Sequence, residues 1–88
     1  TTLIELNLGW NQVTDEGARS LSEVLHVNTT LKELHLYNNS IGDSGAQHLA
    51  QALIQNRTLT NLSVGDNEIT EEGLTYLAQM LKQNSTLI

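Results

Sequence analysis

Apolar and polar positions alternate in a pattern that changes its period twice within every 28 residues. Leu6/Leu8, Leu34/Leu36 and Leu62/Val64 stand two apart with polar residues between them, the signature of a short strand with one buried face. A helical spacing follows. Ala18, Leu21, Val24 and Leu25 recur as Ala46, Leu49, Ala52 and Leu53, and again as Leu74, Leu77, Met80 and Leu81. That i, i+3, i+4 stripe predicts three helices, each turning the whole stripe to a core. The spacing therefore predicts strand, turn, helix and return, three times over.

The copies align without an insertion on the frame LxxLxLxxNx[IV]xxxGxxxLxxxLxxNxT, opened by Leu3, Leu31 and Leu59. Repeats fall at 2–29, 30–57 and 58–85, and residues 86–88 begin a fourth within a single domain, 1–88. A repeat of this length is one supersecondary unit that hides its apolar side only by stacking on a neighbour, so the chain is a piece of a solenoid. Identical strands joined through helices must run parallel.

Punctuation supports the same elements. Thr14 and Thr70 stand where an N-cap hydroxyl would satisfy free amides, and repeat two has Gly42 there. Asp15, Glu16, Asp43, Glu71 and Glu72 fall in first helical turns, where they complement the helix dipole. Asn28, Asn56 and Asn84 are expected to stop the helices in the left-handed conformation. Gly17, Gly45 and Gly73 cost helix propensity, which close backbone packing would offset. The Asn11, Asn39 and Asn67 column follows the strands, where a side-chain amide can pair with backbone groups that neither strand nor helix satisfies; stacking turns it into a ladder.

On these columns the frame resembles leucine-rich repeats, specifically the ribonuclease-inhibitor-like class with a full helix per repeat. The lack of cysteine makes the repeats most similar to those of NOD-like receptors, innate immune sensors of the cytoplasm. Similar repeats occur in Ran GTPase-activating proteins and in ribonuclease inhibitor. The resemblance implies an α/β solenoid, a horseshoe with parallel strands on the concave face and helices on the convex face. It also implies a protein-binding role, the ligand-sensing or regulatory region of a receptor of that type. An enzyme regulator and a structural spacer are the alternatives.

Side chains alternating with the strand leucines face the concavity in columns: Glu5/Glu33/Asn61, Asn7/His35/Ser63, Gly9/Tyr37/Gly65 and Trp10/Asn38/Asp66. These vary although the frame does not. Trp10 and Tyr37 are the large aromatics expected to stand exposed there, a residue type favoured as an interface anchor. Glu5, Glu33, His35 and Asp66 complete the candidate protein-binding set. Glu5 and Glu33 become lateral neighbours of like sign, a pairing that costs stability and that a basic partner would relieve.

Ten acidic residues against four basic ones give a net charge of −6, which argues against nucleic acid. No apolar run reaches membrane-spanning length. The chain contains no cysteine, so a disulfide framework is excluded, and a cytoplasmic location is expected. His26, His35 and His48 occupy different columns, so no metal centre is expected; no catalytic triad or phosphate loop appears, so neither an enzyme nor a cofactor is expected. Five Asn-x-Ser/Thr triplets begin at Asn28, Asn38, Asn56, Asn61 and Asn84, three of them produced by the repeat itself. The pattern starts and stops without polar caps, so an excerpt of a longer array is expected, with end-to-end stacking of copies as an alternative.

Overall fold

The computed structural model describes residues 5–27 and 30–84. Three strands alternate with three helices: β1 (Glu5–Asn7), α1 (Asp15–Val27), β2 (Glu33–His35), α2 (Asp43–Gln55), β3 (Asn61–Ser63) and α3 (Glu71–Gln83). The strands form one parallel sheet in the order β1-β2-β3. Register advances by one repeat at each step, Glu5 opposite Glu33 opposite Asn61 and Leu6 opposite Leu34 opposite Leu62. The ladder runs past the strands into the turns, where Trp10 N donates to Tyr37 O at 3.1 Å and Asn38 N to Gly65 O at 3.0 Å. Helices pack α1 on α2 and α2 on α3. The core lies between the layers and centres on Leu25, Leu34, Leu36, Ile41, Leu49, Leu53 and Leu59.

The asparagine ladder forms as expected. Asn39 Nδ2 donates to Leu36 O at 2.9 Å in its own repeat and to Leu8 O at 3.0 Å in the preceding one, while Val13 N donates to its Oδ1 at 3.0 Å. Asn67 repeats this with Val64 O, Leu36 O and Ile41 N. One amide thus satisfies backbone groups of two repeats that no regular element reaches.

Asparagines at the helix ends work differently from the expectation. Asn56 (φ −78°) and Asn84 (φ −102°) are extended, not left-handed. Both are buried, and Nδ2 donates to a helix-end carbonyl of the preceding repeat, Leu25 O at 2.9 Å and Leu53 O at 2.6 Å. Each leaves its own helix in extended backbone, while its side chain seals a free carbonyl of the preceding helix. Their amide nitrogens are thus committed inside the protein, which argues against glycan attachment at those two triplets. Asn28 and residues 86–88 lie outside the described residues. The left-handed positions are instead Trp10 (φ 62°), Asn38 (φ 57°) and Asp66 (φ 55°), in the turn after each strand.

The acidic residues stand in first helical turns as expected, but the caps depart from the expectation, because the first acidic side chain caps the next helix. Asp15 Oδ1 accepts from Gly42 N at 2.6 Å and Gly45 N at 3.0 Å, the N-cap and N3 amides of α2. Asp43 Oδ1 accepts from Thr70 N at 2.7 Å and Gly73 N at 3.0 Å at the start of α3. Thr70 therefore makes no side-chain cap of its own, and its hydroxyl donates to Asp43 Oδ2 at 2.5 Å. This explains two of the three glycines in the column: a Cβ on Gly45 would stand 2.7 Å from Asp15 Oδ1, and one on Gly73 2.5 Å from Asp43 Oδ1. Hydrogen bonds from the Thr70 hydroxyl and amide, aided by Gly73 N against the opposing effect of desolvation, hold the Asp43 carboxyl below its ordinary value.

Not every stripe residue faces the core. Val24, Leu74 and Leu81 are exposed, although Ala52, Ala46 and Leu53, their column-mates in the middle repeat, are buried. The 24/52/80 column packs toward the preceding repeat, and the 18/46/74 and 25/53/81 columns toward the following one, so each is covered only where that neighbour stands.

Candidate protein-binding face

The strand wall is built from what the leucines leave over. With Leu6, Leu34 and Leu62 turned to the core, the residues flanking them are presented on the other side. Parallel register makes equal columns lateral neighbours about 4.8 Å apart, and residues two apart share a face. Glu5 and Glu33 stand side by side as expected.

His35 is what brings them together. Its Nε2 lies 3.3 Å from Glu5 Oε2 and 3.2 Å from Glu33 Oε1, and its Nδ1 lies 3.2 Å from Ser63 Oγ. The imidazole is mostly covered, at 16% side-chain exposure, whereas both carboxylates reach solvent. Three side chains, one from each strand, converge on one ring. The sequence reading missed this group because it matched histidines only with histidines. The signal was present in the period: residues 28 apart are lateral neighbours, so His35 lies diagonally opposite Glu5 and Ser63 lies beside it.

Tyr37 is half-buried, which corrects the expectation of a freely exposed anchor. Gly9 leaves the space it occupies: a Cβ there would approach the Tyr37 ring to 2.5 Å. The ring meets His35 edge-on, with centroids 6.4 Å apart at 68°, and Asn7 Nδ2 donates to its hydroxyl at 3.4 Å. Trp10 differs, being 76% exposed in the turn after β1. A bulky side chain at positive φ costs on the order of 1 kcal/mol or more, and the same position in the other repeats holds the tolerant types Asn38 and Asp66. Asp66 is exposed in the corresponding turn of the third repeat, two repeats away from Trp10.

One short parallel strand and one helix per repeat, tied by an asparagine ladder, define a leucine-rich repeat solenoid. The chain belongs to the leucine-rich repeat family, whose sequence pattern matches residues 1–22, 27–50 and 55–78. Among solved structures it is similar to one described as leiomodin-1 actin-binding site 2 (ABS2), with a TM-score of 0.88 and 33% sequence identity. That match covers 94% of this chain and 49% of the other, so the chain spans about half the length of that relative. No curated protein sequence matches it.

Proposed function

We propose that this chain is a protein-interaction module that engages its partner through the strand wall and the turn beside it. Trp10 carries the proposal: a large aromatic held in solvent, at a backbone position that penalises it, has a rationale in recognition that it lacks in folding. Tyr37, Glu5, Glu33, His35 and Asp66 extend the contact surface. With Glu5, Glu33 and Asp66 exposed or half-exposed, the wall suits a partner of basic character. Binding, not catalysis, is the role this supports.

The finer reading is a regulatory or ligand-sensing repeat region of a NOD-like receptor-type protein in the cytoplasm, supported by the cysteine-free repeat style. A second reading is an actin-binding segment, favoured by the 33% identity to the leiomodin-1 actin-binding site over nearly the whole chain. Regulation of a GTPase or a ribonuclease is the enzyme-regulator form of the proposal. End-to-end stacking of copies is the alternative to further repeats as the cover for Val24 on one face and for Leu74 and Leu81 on the other.

Two measurements separate these readings. Co-sedimentation with actin filaments, and the fluorescence of the sole tryptophan on adding monomeric actin, test the second reading directly. Cross-linking to cytosolic partners, with the wild type beside the triple variant Trp10→Ala, Glu33→Ala, Tyr37→Ala, tests the face. Loss of the cross-linked species in the variant is expected; unchanged cross-linking would move the interface to the helical side or leave a spacer.

A further inference from the structure

We propose that Glu5, Glu33 and His35 form a binding site for a divalent cation of the zinc class on the strand wall. The three side chains offer two carboxylate oxygens and one imidazole nitrogen, all within 4.8 Å of one another. The nitrogen-to-oxygen separations of 3.2 and 3.3 Å match the edge of a coordination tetrahedron. Metal–ligand bonds of about 2.0–2.1 Å place tetrahedral donor atoms about 3.3–3.4 Å apart.

A second feature comes from the other side of the ring. Ser63 Oγ lies 3.2 Å from His35 Nδ1, where it can accept that nitrogen's proton, leaving the lone pair on Nε2 between the two carboxylates. An imidazole with one nitrogen hydrogen-bonded and the other aimed at anionic donors is the arrangement in which an outer-shell partner fixes the tautomer for a metal. A proton on Nε2 meets only part of what the carboxylates require, because one N–H must be shared between two acceptors at distances longer than those of strong charge-assisted bonds.

Charge and position support the same assignment. Among the described residues no lysine or arginine pairs with Glu5 or Glu33, so two adjacent carboxylates in register have only the imidazole to offset their repulsion. A divalent ion cancels that repulsion and joins β1 to β2. The exposed carboxylates are free to close on it, while the mostly covered imidazole supplies the rigid ligand. Imidazole with carboxylate favours a zinc-class ion over magnesium, which prefers oxygen donors alone. Three protein ligands leave a fourth position for water or a donor from a binding partner.

The test is a calorimetric titration of the whole chain with ZnCl2, accompanied by nitrogen-15 shifts of the histidine side chains. One saturable equivalent is expected, with Nε2 of His35 as the perturbed nitrogen and a rise in melting temperature on saturation. His35→Gln abolishes that equivalent, and Glu5→Gln and Glu33→Gln each weaken it by at least the roughly tenfold typical of outer-shell losses. Ser63→Ala weakens it about tenfold through the tautomer. The double variant His26→Gln, His48→Gln leaves it intact. Should His35→Gln fail to fold, Glu5→Gln on the exposed rim carries the test. Absence of saturable binding at millimolar zinc, wild-type affinity in the Glu5 and Glu33 variants, or an Nε2 still protonated in excess zinc would overturn the proposal.

Discussion

The first and third repeats share a frame, yet they bury different columns of it. Leu25 is 1% exposed and its column-mate Leu81 is 53% exposed; Met80 is 1% exposed and its column-mate Val24 is 49%. Residue type is the same or close in each pair, and only the neighbour differs. Burial in this solenoid is therefore a property of the interface between repeats. The polar groups follow the same rule: Asn39 satisfies two repeats and is buried, whereas Asn11, among the described residues, bonds only to Leu8 O and Gly9 O of its own repeat and is exposed.

Truncating one column at two places gives the largest contrast. Leu25→Ala should cost about 3 kcal/mol, enough to populate the unfolded state of a domain this small, while Leu81→Ala costs under about 1 kcal/mol; urea midpoints measure both. Asn39→Ala comes next, at about 2 kcal/mol, because it strands backbone groups in two repeats, against about 0.5 kcal/mol for Asn11→Ala. Equal losses within either pair would remove the neighbour from the explanation.

The glycine column sharpens the comparison by reversing a sign. Gly45→Ala must push aside Asp15 Oδ1 and Ile41 Cγ2, both 2.7 Å from the new carbon, and should destabilise by about 1–2 kcal/mol. Gly17→Ala meets only Val13 Cγ1 at 3.0 Å, and the helix propensity gained, about 1 kcal/mol, should make it neutral or mildly stabilising. Thermal melts of the two variants decide the point.

Acid stability probes the same lateral cap. Because Asp43 titrates lower when folded than when unfolded, its contribution is fully present above the ordinary carboxylate value near 3.8 and is lost as pH falls through the folded value. Asp43→Asn should flatten that part of the acid limb in a urea-midpoint series, with little slope to lose above pH 5. A small gain in stability is expected at Trp10. Trp10→Asn should stabilise by up to about 1 kcal/mol by relieving the left-handed backbone, while reducing partner binding.

The architecture was legible in the sequence because a leucine column repeated three times leaves one way to bury itself. Asn39 and Asn67 were legible for the same reason, as their position after a strand dictates which backbone groups lack partners. The helix-end asparagines and the acidic caps were not, because their bonds cross from one repeat to the next. Asp15 in its own first helical turn satisfies a local rule, and only the stacking distance shows that its carboxylate reaches α2. Tyr37 was misjudged since the gap it fills is made by Gly9 in another repeat. The Glu5–Glu33–His35 group needed register and diagonal proximity together.

Amide hydrogen exchange of the intact chain tests most directly the claim that side chains of one repeat secure the backbone of the next. The amides of Val13, Ile41 and Gly42 lie outside the regular elements and donate only to Asn39, Asn67 and Asp15 of adjoining repeats. Protection of all three close to that of the α2 core amides is the predicted result. Exchange at the rate of a solvent-exposed turn would contradict the account.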